Sequence, residues 1–365
     1  MQFNEAQIQA IQHNTGPCMV IAGPGSGKTT VLTHRVRYLI ERYGVNPSDI
    51  LVITFTKAAA EQMKLKFKGL SEGRNSAVTF GTFHAVFFTI LKAAYNYSAH
   101  CIIKPQIQHE FVKDQMCRLE LEYDDENEAV AGVLSEISCV KGEDVNIDEY
   151  ESRCIPPQSF RIMYRAYDDM LVRKHLIDFD DMIVQCRELL MQREDYRRAW
   201  QNKYKYILID EFQDINKAQF DVVRILADEY RNLFVVGDDD QSIYGFRGAR
   251  PEIMIEFKDY YPEAELIVLN VNYRSTQSII NVAGRVIENN KTRLDKCAHA
   301  NNNKDFQPDI RKFRNQVEEL KFVVSKIKEY ENQVADGADG YCILGRMAND
   351  YKKLIHPVKK YQRER

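Results

Sequence analysis

Residues 20–30 read V-I-A-G-P-G-S-G-K-T-T, and this stretch decides the fold that we predict. The apolar residues 19–21 have the character of a buried strand, and a helical pattern begins at Thr30. A strand, a glycine-rich turn and a helix in this order are typical of a phosphate-binding loop. The strict pattern opens with Gly where this chain has Ala22, and this small residue relaxes the pattern only slightly.

Each part of the loop has a use in holding a nucleotide. Its glycines allow backbone angles that turn amide hydrogens inward, and the helix adds the positive end of its dipole. The Lys28 side chain can reach the outer phosphates, and the Thr29 hydroxyl can ligate magnesium. A flexible glycine linker is the alternative, which the flanking strand and helix disfavour. The candidate nucleotide-binding residues of the loop are Ala22, Gly23, Pro24, Gly25, Ser26, Gly27, Lys28, Thr29 and Thr30.

The composition predicts a soluble cytoplasmic protein of two or three domains. The 365 residues are 44% hydrophobic and 28% charged. No apolar run approaches the roughly 20 residues that cross a bilayer, and the N-terminus lacks a signal-peptide pattern. The eight cysteines include no C-x-x-C pair, which disfavours a zinc site and suits reduced thiols. A formal net charge of −3 excludes a uniformly basic nucleic-acid binder, so any such contact requires a local groove.

Two later apolar strands end in residues suited to hydrolysis. Residues 206–209 run directly into Asp210 and Glu211, at the edge where open α/β sheets bind ligands. Adjacent strand residues point to opposite sides, so Asp210 can hold magnesium while Glu211 orients and deprotonates a water molecule. Residues 233–236 lead to Gln241, which can sense a terminal phosphate by hydrogen bonding. A pair of solvated acids is the alternative interpretation of Asp210 and Glu211.

Aromatic residues near other strand ends suit single-stranded nucleic acid. Phe55 ends a predicted strand at residues 50–55 and Thr56 follows it, and there a ring can stack on a base while a polar neighbour meets phosphate. Tyr244 and Phe246 offer further stacking surfaces beside a basic residue. Taken alone, Phe55 is better explained as core, and His84 as a structural histidine.

Two polar features remain open at this level. Gln7 lies three residues after Asn4, a capping-box spacing, although its amide could also pair with an adenine edge. The carboxylates Asp178, Asp180 and Asp181 could suggest a metal, but acids at a helix N-terminus are the simpler explanation.

The central and last parts of the chain change character. From about residue 95 to 190 helical periodicity dominates, which predicts a helical insertion. Near the end, residues 309–313 and 341–344 are predicted as strands and 317–330 as a helix. This alternation predicts the beginning of a second α/β domain.

Seven motifs together resemble those of superfamily 1 DNA helicases of the UvrD, Rep and PcrA type. A phosphate loop alone would indicate only a nucleotide-binding protein, whereas the order and chemistry of all seven are specific. They are Asn4-x-x-Gln7, Gly27-Lys28-Thr29, Thr54-Phe55-Thr56-Lys57-Ala58-Ala59, Gly81-Thr82-Phe83-His84, Asp210-Glu211-Phe212-Gln213-Asp214, Gly237-Asp238-Asp239-Asp240-Gln241-Ser242-Ile243-Tyr244, and Asn272-Tyr273-Arg274-Ser275.

The resemblance implies a role for each matching position. Gln7 and Tyr273 would hold adenine, and Gln241 and Arg274 would contact the γ-phosphate, with Arg274 as an arginine finger. Lys28 would bind phosphate, Thr29 and Asp210 would bind magnesium, and Glu211 would be the catalytic base. The residues that would face single-stranded DNA are Phe55, Thr56, His84, Tyr244 and Phe246, the last standing where the family often has Trp.

We therefore predict an α/β protein with a RecA-like P-loop parallel sheet, a helical insertion and an incomplete second RecA-like domain. The predicted divisions are residues 1–95 with 191–270, residues 96–190, and residues 271–365. Later family motifs, including a second γ-phosphate arginine, do not precede Arg365. We expect an N-terminal portion of a longer protein or a natural short form, with another protein or segment supplying those motifs.

The implied function is an ATP- and Mg²⁺-dependent DNA helicase or translocase. It would move 3′ to 5′ on single-stranded DNA or on a duplex with a single-stranded tail, and it would contact no membrane. The alternative is a non-motor protein that binds ATP and DNA as a regulator or decoy.

Overall fold

A computed structural model describes residues 3–71, 77–143, 145–245, 248–302 and 307–333 of the chain. The chain divides into two compact units, Met1–Phe306 and Gln307–Arg365. The first unit contains every predicted site residue, from Gln7 to Arg274.

A six-stranded sheet organises the first unit, and every pairing between its neighbouring strands is parallel. Its strand order is β3-β2-β4-β5-β1-β6. The strands are β1 (Cys18–Ala22), β2 (Ile50–Thr54), β3 (Thr79–Thr82), β4 (Tyr206–Ile209), β5 (Leu233–Gly237) and β6 (Glu265–Leu269). The mixed α/β architecture with a parallel sheet confirms the predicted RecA-like fold class.

Both faces of the sheet are buried, which explains why its strands read as continuous apolar runs. Successive side chains alternate between the faces. In β1, Met19 and Ile21 join one core, whereas Cys18, Val20 and Ala22 join the other. Because successive residues of the strand enter different cores, all of them need apolar side chains.

Helices cover the two faces and continue beyond them. In chain order they are α1 (Glu5–Gln12), α2 (Lys28–Glu41), α3 (Lys57–Leu70), α4 (Phe83–Ala94), α5 (Pro105–Arg118), α6 (Glu126–Glu143), α7 (Pro157–Lys174), α8 (Phe179–Gln192), α9 (Glu194–Lys203), α10 (Lys217–Ala227), α11 (Pro251–Ile255), α12 (Phe257–Tyr260), α13 (Gln277–Ile287) and α14 (Gln316–Gln333). Helices α1, α2 and α3 contribute to one core, and α4, α8 and α10 to the other.

Polar caps set where several of these helices begin. Thr56 and Thr82 accept hydrogen bonds from the third residue of α3 and α4, respectively. At α8, Asp178 and Asp181 form a reciprocal capping box. This confirms the helix N-terminus interpretation of these acids.

A third hydrophobic core lies among α5, α6 and α7. It includes Val112, Val133, Ile137, Phe160 and Met163, all nearly inaccessible to solvent. Between α4 and β4 the described residues form helices and one isolated bridge, Ile102 with Ile177. The region is helical, as the sequence indicates, and its boundaries stay a prediction.

After Leu269 the chain leaves the large sheet. Val271–Asn272 (β7) pairs in parallel with His299–Ala300 (β8), and α13 lies between them in the chain. In the second unit, α14 matches the predicted helix at 317–330.

The predicted strand at 309–313 is wrong. In the described part of the chain no strand pairs with this segment, and an unpaired run lacks the ladder that makes a strand. Instead Arg311 Nε donates to Asp309 Oδ2 at 2.7 Å, and its guanidinium lies 4.5 Å from the Phe322 ring centre. The predicted strand at 341–344 lies outside the described residues.

Two composition-based expectations can be compared with the structure. The cysteines within the described residues are all free thiols. None of the helices in those same residues combines the length and apolar character of a membrane-spanning segment.

Candidate active site

The phosphate-binding loop joins β1 to α2. Gly25 and Gly27 have φ angles of +70° and +92°, in the left-handed region that glycine adopts without strain. The Ser26 backbone N–H and hydroxyl both donate to the Gly23 carbonyl, at 3.3 and 2.7 Å. Helix α2 begins at Lys28 without a side-chain cap, so its first N–H groups remain available to an anion.

Lys28 reaches from this loop to the end of β4. Its Nζ lies 3.0 Å from Glu211 Oε2, and the two side chains are 11% and 37% exposed. Gln213 Nε2 donates to the same carboxylate oxygen at 3.0 Å. Glu211 has a φ of +53°, a left-handed conformation that costs a non-glycine residue about 1–2 kcal/mol. The fold thus holds the predicted base beside the phosphate-loop lysine.

Asp210 is buried beside this pair. Among the described residues, none donates a hydrogen bond to its buried Oδ1 atom. Burial, reinforced by the negative charge of Glu211, raises the pKa of Asp210 to about 7, while Lys28 opposes the rise. The same causes raise the pKa of Asp214 to about 6. A buried carboxylate oxygen without a partner is costly, and a cation would offset that cost.

The oxygen ligands near the loop fit magnesium. Thr29 offers a hydroxyl in the first turn of α2, and Asp210 offers the unsatisfied carboxylate. In the described ranges, no group of three or more His, Cys, Asp or Glu side chains could hold a metal by itself. Magnesium is commonly bound by one or two protein oxygens together with substrate phosphates and water, so these residues suit a nucleotide-borne ion.

Gln7 makes the predicted cap and also contacts the phosphate loop. Its backbone N–H donates to Asn4 Oδ1 at 2.8 Å, and its Oε1 accepts from the Asn4 N–H at 3.2 Å. Its Nε2 donates to the Ser26 carbonyl at 2.9 Å. The capping-box interpretation is confirmed, whereas the adenine contact stays a prediction.

Residues after β6 return to the phosphate loop. Asn272 Nδ2 donates to the Pro24 carbonyl at 2.8 Å, and the Tyr273 N–H donates to the Gly25 carbonyl at 2.9 Å. Asn272 Oδ1 accepts from the N–H of Arg274 at 2.8 Å. The Tyr273 hydroxyl accepts from Asn4 Nδ2 at 3.0 Å, and its side chain is 41% exposed. Tyr273 and Arg274 are therefore placed against the phosphate loop.

Gln241 lies just after β5 and joins the same hydrogen-bond network. Its Nε2 donates to Asp238 Oδ2. The Asp238 N–H in turn donates to Gln213 Oε1 at 3.0 Å, the residue that also contacts Glu211. The structure thus brings the predicted phosphate sensor into indirect contact with the predicted base.

The predicted DNA-contacting residues have mixed exposure. Phe55 is half-buried, with its ring centre 5.2 Å from that of the buried Phe83. Thr56 is exposed and caps α3. His84 packs edge-on against the half-exposed Phe179 at 5.2 Å, and burial lowers the pKa of His84. Tyr244 is 40% exposed, and Phe246 lies outside the described residues.

Family models cover nearly all of the chain. The model for the UvrD/REP helicase N-terminal domain matches residues 3–262, and that for the UvrD-like helicase C-terminal domain matches residues 267–362. The chain belongs to the UvrD/REP helicase family.

Curated relatives agree with this membership. The ATP-dependent DNA helicase PcrA of Staphylococcus epidermidis is 34% identical over 341 residues, which cover 90% of this chain and 46% of the relative. The putative ATP-dependent DNA helicase YjcD of Bacillus subtilis is 36% identical over 358 residues, which cover 94% and 46%. The PcrA protein of Staphylococcus aureus is 34% identical over 338 residues, which cover 90% and 46%. The chain thus spans about half the length of these relatives.

Sequence reasoning missed several residues that organise the site of this UvrD/REP family member. Gln213 and Asn272 were recognised only as parts of motifs, without a role of their own. Lys296, whose Nζ lies 2.6 Å from Asp238 Oδ1, carries no signal in the local sequence. A buried amide or ammonium with several partners is recognisable only once distant segments are brought together.

Proposed function

We propose that this chain binds ATP with Mg²⁺, hydrolyses ATP, and uses hydrolysis to move 3′ to 5′ along single-stranded DNA. The observation that supports the ATPase most directly is the 3.0 Å contact between Lys28 Nζ and Glu211 Oε2, next to the unsatisfied carboxylate of Asp210. Membership in the UvrD/REP helicase family supports the coupling to DNA.

The geometry suggests how the residues share the work. Outer phosphates would draw the Lys28 ammonium away from Glu211, and the freed Glu211 carboxylate would orient a water molecule and accept its proton. Thr29 and Asp210 would hold magnesium, which neutralises charge on the phosphates. Gln241 and Arg274 would contact the γ-phosphate.

The adenine base of the nucleotide would bind beside the phosphate loop. Gln7 and Tyr273 are tied to neighbouring carbonyls of the loop, those of Ser26 and Gly25. Tyr273 is 41% exposed, so its ring could stack on adenine. Gln7 is 5% exposed and already contacts Asn4 and Ser26 through its amide, so adenine would use the remaining N–H and lone pair of that amide. Adenine recognition therefore fits these two side chains.

The proposed DNA contacts follow the carboxyl ends of neighbouring strands. Thr54 of β2 pairs with Thr82 of β3, so the segments that begin at Phe55 and Phe83 leave the sheet side by side. Tyr244 follows β5 of the same parallel sheet. A half-exposed ring in this region can stack on a base, and such contacts tolerate any sequence.

An ATPase assay with and without single-stranded DNA tests the central proposal. Glu211→Gln should retain ATP binding and lose turnover, because the amide cannot accept the proton. Lys28→Ala should abolish hydrolysis, because it removes the charge that meets the outer phosphates. The matched control is Glu229→Gln, at an exposed position after α10. Parental turnover in Glu211→Gln would contradict the assignment of the base.

Direction of movement has its own test. Streptavidin bound at either end of an oligonucleotide should be displaced faster from the 5′ end by a 3′ to 5′ translocase. Equal, ATP-independent displacement from both ends would refute directional movement. In the ATPase assay, ATP binding without turnover would favour the alternative of a non-motor regulator.

A further inference from the structure

Three consecutive carboxylates follow β5 with little access to solvent. Asp238 and Asp239 are 1% and 5% exposed, and the Asp240 side chain is 11% exposed. Buried anions at adjacent positions repel one another and lose their hydration, so they require nearby cations or hydrogen-bond donors.

The segment after α13 supplies that compensation. Lys296 Nζ lies 2.6 Å from Asp238 Oδ1 and 3.0 Å from Asp240 Oδ2, and it also contacts Asp239 Oδ1. Arg293 binds both oxygens of Asp240, at 3.0 and 2.7 Å. The Lys296 side chain is 10% exposed, so its ammonium is committed to these carboxylates rather than to solvent.

One carboxylate connects Lys296 to the hydrolysis site. Asp238 contacts Lys296 through Oδ1 and accepts the amide of Gln241 through Oδ2. The Asp238 N–H donates to Gln213, whose amide contacts Glu211. Glu211 also accepts from the phosphate-loop lysine, so a continuous polar chain leads from that lysine to Lys296.

We propose that Lys296, assisted by Arg293, is a positioning residue for nucleotide hydrolysis that acts through Asp238 on Gln241. The proposal rests on the function proposed above. Lys296 fixes the Asp238 carboxylate by neutralising it, and that carboxylate fixes the amide that would read the γ-phosphate. The segment after α13 thereby influences the hydrolysis site without touching the nucleotide.

Removal of the ammonium has a specific expected effect. In Lys296→Gln the three carboxylates repel, Asp238 loses its fixed orientation, and Gln241 loses its anchor. Misplacement of a catalytic contact by about 1 Å can cost about 100-fold in rate, so we expect kcat to fall about 10- to 100-fold. The KM for ATP should rise by no more than it does in Gln241→Ala, because Lys296 would act on the nucleotide only through that amide.

The experiment compares kcat and KM for Lys296→Gln, Lys296→Arg and the exposed control Lys291→Gln. Lys296→Arg should recover most of the lost rate, and the control should match the parent. A double variant with Gln241→Ala should be no slower than Gln241→Ala alone, because both changes remove the same contact. Additive losses, or a parental kcat in Lys296→Gln, would overturn the proposal.

A binding measurement separates this inference from the proposed ATPase. Fluorescent ADP and a fluorescent non-hydrolysable ATP analogue report γ-phosphate recognition without turnover. The dissociation constant for ADP divided by that for the ATP analogue should fall in Lys296→Gln to the value measured for Gln241→Ala. The affinity for ADP itself should not change. An unchanged ratio, or a parental chain that binds both nucleotides equally, would overturn the inference whether or not the parent hydrolyses ATP.

If Lys296→Gln does not fold, Arg293→Gln provides the second variant. Its side chain is 24% exposed and contacts only Asp240 of the three acids, so folding should tolerate the loss better. We expect a smaller decrease in the same ratio and in kcat, about twofold to tenfold. A folded Arg293→Gln variant with parental values of both would contradict the proposal.

Discussion

Replacement of Gly25 by Ala tests the junction between the phosphate loop and the segment that follows β6. A Cβ atom at Gly25 would lie 2.6 Å from Arg274 Cβ and 2.7 Å from Asn272 Oδ1. The φ of +70° adds strain that no movement of the neighbours relieves. For an L-residue this left-handed conformation costs about 1–2 kcal/mol.

The steric conflict can be relieved only by moving the 272–274 segment. That movement breaks the hydrogen bonds from Asn272 Nδ2 to the Pro24 carbonyl and from the Tyr273 N–H to the Gly25 carbonyl. Two such bonds contribute about 1–3 kcal/mol together. With the backbone strain, the free energy of unfolding should fall by about 2–5 kcal/mol. The melting temperature should decrease by several degrees.

Gly23→Ala is the matched control in the same loop. A Cβ atom there would have no atom within 4 Å, and its φ lies outside the left-handed region. We expect the control to melt within about 2 °C of the parent, since isolated substitutions without strain change stability by less than about 0.5 kcal/mol. Calorimetry would compare the two variants. Equal melting temperatures would refute the account of this junction.

Three further predictions concern DNA, pH and the helical region. Phe55→Ala should weaken single-strand binding by about 1–3 kcal/mol in a fluorescence titration, whereas Tyr123→Ala should not. In metal-free buffer Asp210→Asn should raise the melting temperature more at pH 8 than at pH 5. The pKa of Asp210 is about 7 in the folded chain and 3.8 ordinarily, so the destabilisation caused by its buried charge grows as the pH rises from 3.8 to 7. Asp178→Ala leaves the buried ammonium of Lys141 without one of its carboxylate partners, so the free energy of unfolding in urea should fall by about 3 kcal/mol. Asp148→Ala removes an exposed ion pair and should change it by close to zero.

Much of the geometry of the candidate site could be predicted because it depends on strand ends. The carboxyl ends of parallel strands meet at one edge of a sheet, so the residues after β1, β4 and β5 must come close together. Lys28, Glu211 and Gln241 follow these strands directly, and the structure places them in one hydrogen-bond network. Local patterns sufficed here because strand and loop follow each other within a few residues.

The contacts that support this site could not be predicted in the same way. Lys296 lies 57 residues after Asp239 in a polar segment, where a lysine normally belongs to the solvated surface. Asn272 contacts Pro24 across 248 residues, and neither local sequence shows it. The prediction of a strand at residues 309–313 is wrong for a related reason. A strand forms only where a neighbouring strand can pair with it, and the local sequence does not show whether one is near.

The two kinds of contact around the site differ in strength and therefore in what they can do. The sheet is fixed by apolar side chains on both faces, and burial of each Val, Leu or Ile contributes about 1.5–3 kcal/mol. The residues after β6 are joined to the sheet edge by the hydrogen bonds of Asn272 and the ion pairs of Lys296 and Arg293. A hydrogen bond that exchanges with water contributes only about 0.5–1.5 kcal/mol net. The hydrogen bonds of Asn272 can therefore break and re-form more readily than the apolar core. In the proposed hydrolysis cycle the sheet would hold the phosphate loop still while these bonds respond to the nucleotide.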